Sequence, residues 1–166
     1  MANYDLVDIY CDKTALYWLL EPSKSLTHSQ IAGIKKPKNR VTIMLTCNAV
    51  GDKLLPVFIH KFENPHVIRG IKKLSLPVKY YWNKKAWMQI SIFKTWLSQL
   101  DDHMRLAHRK ILLLVDNCSA HFVESINLSN IKVVFLFKNT TAWLQPCDAR
   151  IIYSFKVSIK FFLNFK

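Results

Sequence analysis

The sequence predicts a mixed α/β domain, one sheet flanked by helices, and three stretches carry that prediction. Residues 111–115 read Ile-Leu-Leu-Leu-Val, a continuous apolar run that wants cover on both faces and so belongs inside a sheet. Residues 41–47 are rich in β-branched and apolar side chains and lead into Asn48-Ala49-Val50-Gly51-Asp52, a cluster of turn formers. Over 87–104 the period changes: Ile90, Phe93, Trp96, Leu97, Leu100 and Met104 recur three and four residues apart, as one face of an amphipathic helix does. At 166 residues, 51% hydrophobic and 21% charged, the chain has the length of one domain and enough apolar material for a core.

The elements follow in order. Asp5 to Asp12 is a short apolar run closed by an acid, read as a strand with Asp12 at its end. Residues 13–40 are polar and basic, with Lys35, Lys36, Lys38 and Arg40 gathered around Pro37. Val41–Cys47 and Leu54–Ile59 then read as a hairpin. Residues 60–84, with Pro65, Pro77 and Gly70, read as irregular. The helix, the apolar strand ending at Asp116 and a further strand over Lys132–Phe137 come next. The last segment has helical spacing in Ile152, Phe155, Ile159 and Phe162 but strand alternation from Phe155 to Phe165. Pro146 at a first helical position, with Asp148 in the first turn, favours a helix over about 146–160,. Three strands, helix, strand, short helix or loop, strand, helix is the order of a ribonuclease H-like domain.

Charge points to the partner. Lys and Arg number 24 against 11 Asp and Glu, a formal +13. Such a surface attracts polyanions, of which nucleic acid is the commonest inside a cell; the plain alternative is that the charge serves solubility alone. No apolar run approaches the ~20 residues that cross a bilayer, and the first residues carry no secretory pattern, so a membrane is not expected. The four cysteines form no CxxC pair, which argues against a zinc knuckle and for a reducing compartment.

Asp12, Asp116 and Asp148 fall at strand ends and in a first helical turn, and strand ends of an open sheet share one rim. Clustered carboxylates repel one another unless a cation lies between them. All-oxygen donors suit Mg²⁺ or Mn²⁺, and two such ions clamp both oxygens of a phosphoryl displacement. The structural alternative is that Asp116 opens a turn and Asp148 complements a helix dipole. Lys35, Lys36, Lys38 and Arg40 read as a nuclear-localisation signal, a phosphate-contacting loop or a solvated basic loop. Trp82, Trp87, Trp96 and Trp143 offer base-stacking faces, with core packing the expectation for Trp87 and Trp96.

Five stretches carry a family resemblance. They are Ile9-Tyr10-Cys11-Asp12-Lys13-Thr14-Ala15-Leu16-Tyr17, Lys35 to Asn48, Lys84-Lys85-Ala86-Trp87-Met88, Ile111 to His121, and Asn139-Thr140-Thr141 through Gln145-Pro146-Cys147-Asp148. In this order they resemble the catalytic domain of the pogo/Tigger branch of the mariner DNA transposases, whose domesticated relatives include centromere protein B and jerky. The resemblance implies a ribonuclease H-like fold and a metal triad of Asp12, Asp116 and Asp148. It implies a Mg²⁺-dependent (or Mn²⁺-dependent) DNA endonuclease and strand transferase acting in the nucleus, with a homo-oligomer left open. Asn117 and His121 match the pattern after the second acid: each either meets a phosphate or fixes the turn.

The chain departs from that pattern at three places. Lys13-Thr14-Ala15 stands where the family has Glu-Thr-Gly, Phe137-Lys138 where it has two prolines, and Ala149-Arg150 where it has Gln-Gly. Residues 1–166 read as the catalytic domain alone, without the helix-turn-helix units that precede it in the family. A second reading is therefore a domesticated or decayed remnant that binds DNA without cleaving it.

Overall fold

A computed structural model of the chain describes residues 40–48, 50–121, 126–137 and 153–158, together with the backbone of 9–17. Among the described residues six strands form one sheet: β1 Ile9–Tyr17, β2 Arg40–Asn48, β3 Val57–His60, β4 Lys79–Trp82, β5 Ile111–Val115 and β6 Ile131–Phe135. Their spatial order is β4-β3-β2-β1-β5-β6. β1, β2 and β3 run antiparallel in succession, whereas β5 is parallel to β1 and β6 parallel to β5. An antiparallel meander followed by parallel strands added beside β1 is the ribonuclease H-like arrangement, here with β4 added in parallel on the far edge.

The β2–β3 connection is built by Asn48. Its Oδ1 accepts from the Asp52 backbone N–H at 2.7 Å, and its Nδ2 donates to the Asp52 carboxylate at 2.8 Å. Gly51 sits at φ 96 inside this turn, a conformation that costs glycine little and other residues more. The chain keeps pairing with β2 through Lys53 and through Leu54, whose N–H reaches the Thr46 carbonyl at 3.0 Å. β3 nevertheless begins at Val57 rather than Leu54, because Pro56 has no N–H to give the ladder.

Helix α1, Ile90–Leu106, lies on one face of the sheet. Ile92, Phe93, Trp96, Leu97, Leu100 and Met104 are buried against Met44, Val57, Ile59, Ile111, Leu113 and Val115. Ile90, placed on the apolar face by spacing, is instead the exposed first residue. The helix ends with Ala107 followed by His108 at φ 52. Arg109 N–H returns to the Met104 carbonyl at 2.9 Å and His108 N–H to the Arg105 carbonyl at 3.1 Å, the pair of bonds of a Schellman cap. Near the far end of α1, buried Asp101 accepts the backbone N–H of Ser129 at 3.1 Å and of Asn130 at 2.8 Å, tying α1 to the loop that enters β6.

Several sequence-based boundaries are corrected. β1 does not stop at Asp12: it runs on to Tyr17, paired with β2 along its whole length, so Asp12 is interior to the strand. β4 lies in a stretch read as irregular. Its Lys-Tyr-Tyr-Trp composition is the strand signal that the neighbouring prolines and lysines obscured,. In β5 the residues Ile111, Leu113 and Val115 are buried, but Leu112 and Leu114 only half so, so the run is fully covered on one face. Residues 153–158 are helical, within the expected last helix; its expected start at Pro146 lies outside the described residues. Among the described residues no helix is long and apolar enough to cross a membrane.

Candidate active site

β1 and β5 are adjacent and parallel, with Ile9 opposite Leu113 and Tyr10 opposite Leu114. Asp12 lies two residues further along β1, and Asp116 directly follows the end of β5. Continued by two residues, the register brings the two acid positions level with one another on neighbouring segments of the chain. Asp12 lies across from Leu45 on its other side, and Lys13 across from Met44. Met44 belongs to the core beneath α1. Leu45 lines a groove of about 530 Å³ on the sheet, shared with Thr46, Cys47 and Pro56 and bounded by Ser154, Phe155 and Ser158. The helical segment 153–158, which begins five positions after Asp148, therefore stands next to the β2 partner of Asp12. Asp148 itself lies outside the described residues.

Asp116 is the first residue past β5, directly after fully buried Val115. The chain there turns at once: Cys118 N–H reaches the Asp116 carbonyl at 2.8 Å, and His121 N–H reaches the Cys118 carbonyl at 2.9 Å. This single turn, Ser119–His121, brings the His121 ring back under the acid. His121 Nδ1 is 2.5 Å from Oδ1 of Asp116 and 3.3 Å from its carbonyl oxygen. Nδ1 is thus the ring nitrogen that faces both oxygens of Asp116. The imidazole is fully buried, its centroid 4.4 Å from that of Phe93 on α1. The Asp116 side chain keeps 24% of its surface exposed, so a cation can still reach it.

A phosphate contact by His121 is corrected by this geometry: a side chain with no exposed surface faces the acid, not a duplex. Asn117 is exposed beside Asp116, compatible with either role considered for it. Of the basic cluster, Lys35, Lys36 and Lys38 lie outside the described residues. Arg40 begins β2, and its guanidinium carbon stands 4.8 Å from the centroid of the Trp87 ring. Trp96 is buried at 1%, whereas Trp87, expected in the core, is 49% exposed; Trp143 lies outside the described residues. α1 begins only at Ile90 because Asn83 closes a loop ahead of it. Its Oδ1 accepts from the N–H groups of Lys85 and Trp87, each at 3.1 Å, and its Nδ2 donates to the Trp87 carbonyl at 2.7 Å.

Among the described residues no group of three His, Cys, Asp or Glu side chains is gathered as a metal site. The two acids whose positions the register brings level, Asp12 and Asp116, are both carboxylates, a donor type that fits a hard divalent ion. The turn-fixing role considered for His121 agrees with its burial behind Asp116.

Comparison with known proteins agrees with this frame. The family model for the DDE superfamily endonuclease matches residues 38–162. CENP-B homolog protein 2 of Schizosaccharomyces pombe is 34% identical over 99% of this chain and 34% of its own length. Tigger transposable element-derived protein 4 of Mus musculus is 34% identical over 74% of this chain and 24% of its own length. The chain thus spans a minor part of the relatives it matches. The Mos1 transposase paired-end complex with left transposon end superposes on 93% of this chain and 42% of its own, with a TM-score of 0.56 at 10% identity. That likeness shows the fold; the family match over residues 38–162 and the relatives at 34% identity show the kinship: the chain belongs to the DDE superfamily endonucleases, in the branch that holds the Tigger and CENP-B relatives.

Proposed function

We propose that this domain is a divalent-metal-dependent DNA endonuclease and strand transferase in which Asp12, Asp116 and Asp148 hold Mg²⁺ or Mn²⁺. The observation that supports the reading is the parallel β1–β5 register, Ile9 opposite Leu113 and Tyr10 opposite Leu114, which continued by two residues brings positions 12 and 116 level with one another. The helical segment following Asp148 borders the groove lined by Leu45, the β2 partner of Asp12. A divalent ion held there would activate an oxygen nucleophile and neutralise charge on the phosphoryl group.

The chain's own residues supply the positioning. Val115 and the buried end of β5 fix the backbone of Asp116, and His121 holds one carboxylate oxygen from behind. Arg40, Lys84 and Lys85, with Asn117 beside the acid, line the approach for a phosphate backbone. The +13 charge draws DNA in without regard to sequence,. The Mos1 structure is titled as a complex with a transposon end; carried to this chain, that makes DNA the partner. A DNA-acting domain with the basic Lys35–Arg40 stretch works in the nucleus.

A second reading, a domain that binds DNA and no longer cuts it, draws on Lys13, Ala149 and Arg150, which replace the family pattern around two of the acids. Cations beside a carboxylate cluster compete with Mg²⁺ for the same oxygens. The register favours activity here, since position 13 lies across from Met44 of the α1-side core and position 12 across from Leu45. The deciding experiment is nicking of supercoiled plasmid with and without Mg²⁺ or Mn²⁺. Metal-dependent nicking by the wild type and its loss in Asp116→Asn support the enzyme; DNA binding with no nicking by either supports the remnant.

A further inference from the structure

The rim that carries Asp116 also carries a short aromatic and basic loop. β3 is antiparallel to β2 and so parallel to β1, and β4 is parallel to β3. Trp82 therefore ends β4 at the same end of the sheet as Asp116. Arg40 opens β2 at this end too, across from Tyr17. Position 17 is five residues past Asp12, roughly 17 Å along the strand. Between Trp82 and Trp87 lie Asn83, Lys84, Lys85 and Ala86.

This loop is held rigid while its indoles are left in solvent. Asn83 grips Lys85 and Trp87 through three hydrogen bonds. Ala86 is buried at φ 51, and its carbonyl accepts the buried Thr42 hydroxyl at 2.7 Å. Holding a non-glycine residue in the left-handed region costs free energy and persists where the surroundings over-determine it. What the loop presents is Trp82 at 47% and Trp87 at 49% exposure. The Arg40 guanidinium stands 4.8 Å and the exposed Lys85 ammonium 5.5 Å from the Trp87 ring centroid.

We propose that the loop 82–87, with Arg40, is a grip for single-stranded DNA, in which an unpaired base stacks on Trp87 and Arg40 and Lys85 take the flanking phosphates. Exposed indoles interleaved with cations match a strand whose π-faces and backbone are both accessible, whereas a duplex hides its π-faces. The lysine ammonium can swing from the ring to a phosphate as the base arrives. A rigid loop lowers the ordering cost of that contact. Arg40, across from Tyr17, lies about 17 Å along β1 from position 12, a span of a few nucleotides,. This inference rests on DNA being the partner and adds which form of DNA the rim holds and with which residues.

The test is fluorescence anisotropy of labelled oligo(dT) and of a labelled duplex, using the full chain as wild type, Trp87→Ala and Trp87→Phe. Trp87→Ala should weaken oligo(dT) binding about tenfold, Trp87→Phe should stay within about twofold of wild type, and duplex binding should change by less than about twofold in both. Equal oligo(dT) binding by wild type and Trp87→Ala overturns the grip while leaving duplex binding, and so the DNA reading, intact. An equal loss on single strand and duplex also overturns it, since stacking would then not be the cause. A wild type that binds neither form overturns both readings together.

Discussion

His121 Nδ1 stands 2.5 Å from Oδ1 of Asp116, and the same imidazole packs on Phe93 at a centroid distance of 4.4 Å. One side chain thus couples the acid at the end of β5 to the first turn of α1. The link runs from a local turn, Cys118 to His121, through core packing, to the placement of a carboxylate at the rim.

Removing that coupling should cost stability as well as position. His121→Ala deletes a fully buried ring and the donor facing Asp116, and we expect a loss of about 2–4 kcal/mol in urea unfolding. His121→Asn keeps a donor of smaller reach and should lose less. A loss below about 0.5 kcal/mol for the alanine variant, the range of ordinary surface substitutions, would show that the contact does not hold Asp116.

Asp101 gives the fold an acid-sensitive tie between α1 and β6. Burial pushes its carboxyl up, but hydrogen bonds from Asn130, Ser129 and Ile131 prevail and hold it below the ordinary carboxylate range. A lowered folded-state pKa contributes stability that is complete above the unfolded value, about 3.9, and is lost as pH falls through the folded one. Asp101→Asn should therefore be less stable by about 1–3 kcal/mol at neutral pH. The gap to wild type should narrow below about pH 4, and denaturant midpoints measured across pH check this.

At the C-terminus of α1, exposed His108 occupies the left-handed position of the Schellman cap at φ 52. Glycine takes that conformation without strain, so His108→Gly should stabilise the protein by about 0.5–1 kcal/mol. Thermal unfolding reads the change, and a lowered midpoint would count against the cap assignment.

DNA binding should follow salt. With +13 formal charge, affinity should fall linearly on a log–log plot against salt, and Arg40→Ala should reduce the slope by about 1 equally on unrelated duplexes. A strong preference for one sequence, or salt-insensitive binding, would contradict phosphate-led recognition.

Much of this frame is written in local pattern. The Ile111–Val115 run and the three-four spacing from Phe93 to Met104 specify β5 and α1, since burial imposes those periods directly. What local pattern does not hold is pairing across the chain. The extension of β1 past Asp12 to Tyr17 follows from its register with β2, and the short β4 pairs in parallel with the edge that β3 offers it. Trp87 looks like core by composition, yet a side-chain clamp from Asn83 and the left-handed Ala86 turn it outward. The partnership of His121 with Asp116 likewise depends on a turn whose closure no periodicity announces.

The central claim is one divalent-metal site shared by Asp12, Asp116 and Asp148. Calorimetric titration with Mn²⁺ tests it without relying on catalysis, using the wild type and the variants Asp12→Asn, Asp116→Asn and Asp148→Asn. Asparagine retains an oxygen for the His121 Nδ1 proton, so Asp116→Asn should keep its fold while losing the charge that attracts the ion. The account predicts clear binding by the wild type and its loss in each variant. Equal Mn²⁺ binding by wild type and Asp116→Asn would contradict it.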